Sequence, residues 1–533
     1  MTFLIAALTL GGMQVTKRMT LPIIPEPVSI RYEDGHFTLG PKTTISAPSE
    51  LASLAEMLKE DIGPAFGFDL PIVNHGDSDS IHLTLDKKLA RLGVEGYTLR
   101  VHAHRIEISA PETAGVFYGI QTLRQLLPTE SFRKDKTENV AWTVPCARIE
   151  DYPRFGWRGM HIDASRHFMP KEFILKYIDL IALHKMNVLH FHLTDDQGWR
   201  IEIKKYPKLT SVGGWRKESM AGHYGEHRFD GVPHGGFYTQ EDIKEIVRYA
   251  HDRFVKVVPE IEMPGHAQAA IAAYPELGNT GKPLDVFTEW GVDENVFNVD
   301  DSTIHFLQDV LTEVVGLFPS EFIHVGGDEC PKTQWKASPE AQARIKALGL
   351  KDENELQSWF IHQMDTFLAS KGRRLVGWDE ILEGGLAPGA TVMSWQGEEG
   401  GVAAAKAGHD VVMTPAQYTY FDHYQTQDHK AEGLTIGGYL PLRRVYGYEP
   451  VPKELNAEEA KHVLGAQGQL WTEYIPNPKR LEFMGFPRTC ALSEVLWTPK
   501  KERDYDQFLS RLSVHLERLT ALDVNYCPLG LPK

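Results

Sequence analysis

The sequence predicts an α/β protein: a (β/α)8 TIM-type barrel preceded by a smaller α+β domain. Three observations lead there. From about residue 155 onward, eight short apolar runs alternate with long helical patterns. Polar and aromatic residues gather at the C-terminal ends of those runs. The region ahead of them has another rhythm, alternating strands followed by one amphipathic helix.

The whole chain fits that reading. It has 533 residues, 42% of them hydrophobic and 24% charged, which is the make-up of a folded protein rather than a disordered one. The formal net charge is −16, so a phosphate backbone would be repelled and nucleic acid is not an expected partner. No apolar run approaches the ~20 residues of a membrane span. Cys146, Cys330, Cys490 and Cys527 show no CxxC or zinc-finger spacing and are expected to be reduced thiols.

Residues 1–20 are expected to be a leader or disordered. Residues 3–10 resemble a short signal core, but no Lys or Arg precedes them, and Lys17 and Arg18 follow in the wrong order. Secreted, periplasmic and cytoplasmic locations all stay open. Residues 21–148 form the expected α+β domain. Runs 81–85, 96–101 and 105–108 alternate as strands do. Over 111–127, Val116, Ile120, Leu123 and Leu127 recur at steps of three and four, as on one helix face.

Residues 149–533 are expected to hold the barrel and a C-terminal helix. The eight runs are 158–163, 187–193, 256–262, 322–329, 374–380, 391–396, 410–415 and 463–471. Helical patterns over 171–186, 239–254, 301–318 and 354–371 separate several of them, with Thr239 as a cap before first-turn acids. The fifth connection is short, and 422–462 must hold an irregular or inserted loop. Helices over 480–496 and 507–522 close the chain. An open, doubly wound sheet is the structural alternative.

A barrel brings all eight C-terminal strand ends to one mouth. The sharpest signal there is His324-Val325-Gly326-Gly327-Asp328-Glu329. Two neighbouring carboxylates in a dry pocket repel each other, which raises the pKa of one. One can then give a proton while the other stays charged, a division of labour that glycoside cleavage needs. A solvated Asp-Glu pair at a helix start is the plain alternative. His190-x-His192 puts two imidazoles on one strand face, which suits a divalent metal and a metal-dependent barrel hydrolase or deacetylase. Histidines packed and bonded within the barrel are the commoner arrangement. Trp378, Trp395 and Trp471 stand at strand ends beside Asp379, Glu380 and Glu473, and indole faces stack on sugar C–H faces. A carbohydrate-binding protein without catalysis would use that mouth alone.

Together these segments make the chain resemble the β-N-acetylhexosaminidases of glycoside hydrolase family 20. The resemblance runs from about 21 to 500. It rests on Trp157-Arg158-Gly159-Met160-His161-Ile162-Asp163 with Arg166, on His190-x-His192-x-x-Asp195-Asp196-Gln197, on Pro264-Gly265-His266, on the Asp328-Glu329 motif, and on Trp395 and Trp471-Thr472-Glu473. It implies exo-acting release of terminal N-acetylglucosamine or N-acetylgalactosamine from a small carbohydrate substrate, with no metal and no cofactor. The 2-acetamido oxygen of the substrate would be the nucleophile, giving an oxazolinium intermediate. Glu329 would be the general acid and later the base, and Asp328 would orient the acetamido group. Asp195 and His266 would tune Glu329. Arg166, Asp422 and Glu473 would bind hydroxyls, Tyr420 the acetamido oxygen, and Trp378, Trp395 and Trp471 the acetyl methyl. Glu262 stands where relatives often have Asp. Arg158, His161 and Asp163 read as structural, and Trp199 and Trp215 either line a leaving-group subsite or pack a loop. Oligomeric state is not legible.

Overall fold

The computed structural model describes residues 21–76 and 78–528, so the expected leader, residues 1–20, lies outside the described residues. Seven strands form the N-terminal sheet, in the spatial order Ser29–Thr38, Thr143–Asp151, Tyr97–His102, Arg105–Ala110, Ser80–Leu85, Thr44–Ser46, Ile72–Val73. The first three pairings are antiparallel and the last three parallel. The predicted amphipathic helix is Thr113–Leu126 and is almost wholly buried. Its glycines allow a close approach to the sheet: a Cβ on Gly119 would fall 2.5 Å from Ile108 Cγ2.

That helix also touches the barrel. Phe117 meets Phe254 at 5.3 Å between ring centroids, and Tyr118 meets Trp497 at 5.2 Å. Polar contacts fix the same junction. Lys185 Nζ lies 2.7 Å from Asp151 Oδ2, with both side chains fully buried, and Trp497 Nε1 donates to Asp151 Oδ1 at 2.8 Å. Arg158 reaches across to Glu95, donating through both Nη atoms at 2.8 Å.

Eight parallel strands close the barrel: Trp157–Asp163, Val188–His192, Lys256–Glu260, Phe322–His324, Arg374–Trp378, Thr391–Ser394, Val411–Met413 and Val463–Gly468. The last pairs with the first, Gly465 opposite Trp157, which excludes the open sheet. Inside the barrel an apolar layer holds Trp157, Val188, Val258, Phe322, Val376, Met393 and Val412. Further along the same inward face, by the period of two, come His190, Glu260, His324 and Trp378, each two residues beyond the apolar layer, with His161 four beyond Trp157 and Gln467 bonded to His190. The barrel interior is therefore half apolar and half polar.

Helices Lys171–Leu183, Gln240–His251, Asp301–Leu317 and Glu353–Ser370 match the predicted patterns, and Thr239 with Asp242 forms a reciprocal capping box. The short fifth connection carries a 3-10 turn, Asp379–Leu382, and residues 422–462 hold only short helices. Two expectations need correction. The pattern over 480–496 is not one helix but two, Pro478–Gly485 and Arg488–Trp497, because Pro487 cannot donate into a continuing helix. The strand runs were also drawn too long: 322–329 stops at His324 and 463–471 at Gly468. The four cysteines are buried. No helix among the described residues is long and apolar enough to cross a membrane.

Candidate active site

The over-long runs have a local cause that builds the site. After His324 the backbone turns left-handed at Gly326 (φ +67°), Gly327 (φ +95°) and Glu329 (φ +43°), and peels off the strand. A Cβ on Gly326 would lie 1.7 Å from Glu262 Oε2, so any side chain there would have to push the buried Glu262 carboxylate aside as well as adopt a strained φ. His266 is also left-handed (φ +48°). Two non-glycine residues in this sparsely populated region face one another, a conformation that tertiary packing must impose.

Above the barrel lies a cavity of about 290 Å³. Of the expected site residues, Arg166, His266, Asp328, Glu329, Trp378, Trp395, Tyr420, Asp422, Trp471 and Glu473 all line it. Asp195 sits one contact behind. Three indoles and a phenol form one wall: Trp395 stacks with Tyr420 (6.0 Å, 22°), and Trp471 lies 5.8 Å from Trp378 and 6.5 Å from Tyr420. Tyr418 stacks instead on Tyr448, away from the wall. Trp199 packs a loop and donates to Ile201 O; Trp215 is 52% exposed, and neither lines the cavity.

Arg166 is held as a fork. Nη2 meets Asp195 Oδ2 at 2.8 Å, Nη1 meets Asp163 Oδ2 at 3.4 Å, and Nε donates to Gln197 Oε1 at 2.9 Å. His266 links the carboxylates. Its Nδ1 lies 3.2 Å from Asp195 Oδ1 and 3.0 Å from Asp196 Oδ2. Its Nε2 faces Glu329 Oε2 at 3.5 Å and Asp328 Oδ2 at 3.6 Å. Burial disfavours a charged His266, yet Asp195 and Asp196 outweigh it and hold the ring's pKa well above the usual range.

The two adjacent carboxylates diverge, as the sequence led one to expect, but in an unexpected direction. Burial, with Glu380, Glu260 and Glu329 nearby, raises the Asp328 carboxyl well above its ordinary value. The hydrogen bond from His266 lowers Glu329, whose side chain is 41% exposed. Asp328 Oδ1 is buried and has no hydrogen-bond partner among the described residues. Glu262 lies below, pushed up by burial and then by Asp328 and Glu260.

His190 and His192 do not line the cavity. They belong to the polar barrel layer, where His192 Nε2 lies 2.9 Å from Asp195 Oδ2 and Nδ1 bonds to Glu260, and His190 Nδ1 pairs with Gln467 at 2.8 Å. A hydrolytic metal on that pair would have no position facing a substrate. Three contributors were not assigned from sequence: Asp196 beneath His266, Gln197 beneath Arg166, and Glu380, which accepts from Trp395 Nε1 at 3.0 Å. Asp196 and Gln197 directly follow Asp195 in the quoted motif, and Glu380 follows Trp378 at a strand end.

Comparisons with known proteins identify the family. The profile of "Glycosyl hydrolase family 20, catalytic domain" matches residues 155–500, and that of "Glycosyl hydrolase family 20, domain 2" matches 20–152. A Beta-hexosaminidase of Porphyromonas gingivalis is 46% identical over 509 residues, or 95% of this chain; the chain spans 64% of that relative's length. A Beta-hexosaminidase of Vibrio furnissii is 36% identical, with 90% of this chain and 77% of the relative covered. Among solved structures, the GH20 beta-N-acetylhexosaminidase of Streptomyces coelicolor A3(2) superposes with a TM-score of 0.84 at 34% identity, covering 96% of this chain and 98% of that one. A mutant Streptomyces plicatus beta-hexosaminidase in complex with its product GlcNAc gives 0.84 at 32% identity, covering 96% and 97%.

Proposed function

The chain belongs to glycosyl hydrolase family 20, and on that premise we propose that it is an exo-acting β-N-acetylhexosaminidase. It releases terminal β-linked N-acetylglucosamine or N-acetylgalactosamine, from chitooligosaccharides or glycan ends, by substrate-assisted catalysis with retention. The observation that carries this reading is the placement of Asp328 and Glu329 on one imidazole, at the edge of an aromatic-walled cavity near the small end of the range for ligand sites.

The terminal sugar stacks on the Trp471 side, with its hydroxyls toward Arg166, Asp422 and Glu473. Its acetamido group enters between Trp378, Trp395 and Tyr420. The carbonyl oxygen attacks C1 as the C1–O bond breaks, and Glu329 gives its proton to the departing oxygen. The acetamido N–H donates to Asp328, whose unpartnered Oδ1 accepts it. That new bond favours the carboxylate, so Asp328 is charged when positive charge grows on the oxazolinium. The sugar covers Glu329 and strips its water, which raises the pKa that His266 holds down. Once its proton is gone, the Glu329 carboxylate keeps His266, charged by Asp195 and Asp196, as its hydrogen-bond donor. Water, deprotonated by Glu329, then opens the oxazolinium at C1.

A nitrophenyl N-acetylglucosaminide assayed beside the corresponding glucoside tests the reading. Turnover of the first and at least ~10³-fold less of the second is expected, since intramolecular attack supplies a large part of the acceleration. Comparable rates on both would contradict it.

A further inference from the structure

Behind Arg166 the mouth loops enclose a second polar centre that the proposed reaction does not use. Arg216 and Trp290 are each only 3% exposed, and the guanidinium carbon lies 5.3 Å from the indole centroid. Arg216 Nε donates to Ser219 Oγ at 2.9 Å and Nη1 to Gln197 O at 3.2 Å. Arg216 Nη2 and Trp290 Nε1 have no hydrogen-bond partner among the described residues. Arg200, fully buried next to them, donates only to carbonyls, among them Gly214 O at 2.7 Å and Gln197 O at 3.4 Å.

The local charge is lopsided. The carboxylates whose charge reaches Arg216 are Asp163, already in contact with Arg166, and Asp230, which is solvent-exposed. Burial lowers Arg216 to about 9 and Arg200 to about 10. The neighbouring His167 is pushed down to about 4 by burial and then by Arg216, so it adds no negative charge and resists a third positive one. Buried guanidiniums are normally paired with a carboxylate, and a buried N–H left unbonded costs about 1–3 kcal/mol. A water molecule would satisfy the two N–H groups but leave the charge uncompensated. An anion does both.

We propose that a small monovalent anion of the chloride type binds between Arg216 Nη2 and the indole N–H of Trp290. The ion also bears on Arg166. Gln197 O accepts from both Arg216 and Arg200, while its side chain accepts from Arg166 Nε at 2.9 Å, so a neutralised Arg216 steadies the residue that aims the sugar-binding fork. Binding itself does not depend on the catalytic reading.

Bromide is the probe, because its anomalous scattering distinguishes it from water. Crystals of the full chain grown in sodium bromide should show an anomalous peak between Arg216 and Trp290. Thermal unfolding at fixed ionic strength should give a Tm several degrees higher in chloride or bromide than in gluconate, which is too large for the site. Trp290→Phe keeps the ring and removes the N–H, and should weaken both signals; Arg216→Gln should abolish them. A Tm that is the same in halide and gluconate, or a saturating bromide soak with no peak there, would overturn the proposal in favour of water. A peak undiminished in both variants would do the same.

Discussion

Asp328 and Glu329 are chemically near-identical neighbours pulled in opposite directions by what lies beneath them. Asp328 is buried with the charges of Glu380, Glu260 and Glu262 close to it, whereas Glu329 takes the hydrogen bond of a charged His266. Replacing Glu329 with Gln should lower kcat by about 10²–10⁴ on substrates with poor leaving groups and far less on nitrophenyl glycosides. A uniform loss on both would point to damaged binding instead. The pH profile offers a separate check. His266 lowers the Glu329 pKa, so removing it in His266→Ala raises that pKa. The pH at which the acid loses its proton, and with it the alkaline limb of kcat/KM, should then move upward as the rate falls. A limb that stays in place or moves down would remove His266 from the account.

At the scale of elements, the peptide after the fourth barrel strand carries most of the geometry. Gly326 has no room for a methyl group above Glu262 and adopts φ +67°. Gly326→Ala should cost at least about 1–3 kcal/mol of stability, read as a lower denaturation midpoint, and at least tenfold in kcat/KM. Wild-type behaviour of this variant would mean that the turn is not constrained. The same turn shows where the sequence stopped being legible. Periodicity and apolar runs located all eight strands, since each needs a buried face. Pattern alone could not separate the end of the fourth strand from the turn after it, because His324-Val325 continues the apolar run and only the positive φ of Gly326 breaks it. Likewise the apolar face over 480–496 is continuous in sequence, and only Pro487 divides it. Among the cavity-lining residues, those standing at strand ends were readable, as were those in long motifs. Asp196 and Gln197 were not assigned, because their roles are set by what His266 and Arg166 bring to them from other strands.

On the scale of the molecule, the N-terminal sheet is fastened to the barrel by buried charge. Asp151 accepts from Lys185, from Tyr97 OH at 2.6 Å and from Trp497 Nε1 at 2.8 Å. Lys185→Met would leave Asp151 with buried charge and no cation, at a cost of about 3–5 kcal/mol in chemical denaturation, while the folded fraction keeps its KM. A negligible change would show that the junction draws its stability from the Tyr118–Trp497 and Phe117–Phe254 packing alone. The proposed chemistry of the whole molecule depends on which atom attacks the anomeric carbon. Fluorinating the acetamido methyl withdraws electrons from the carbonyl oxygen while changing the sugar little. The most direct measurement is therefore kcat/KM for nitrophenyl glycosides bearing acetamido, fluoroacetamido, difluoroacetamido and trifluoroacetamido groups. A steep fall with each added fluorine is predicted; a flat series would assign the attack to the protein or to water and contradict the account.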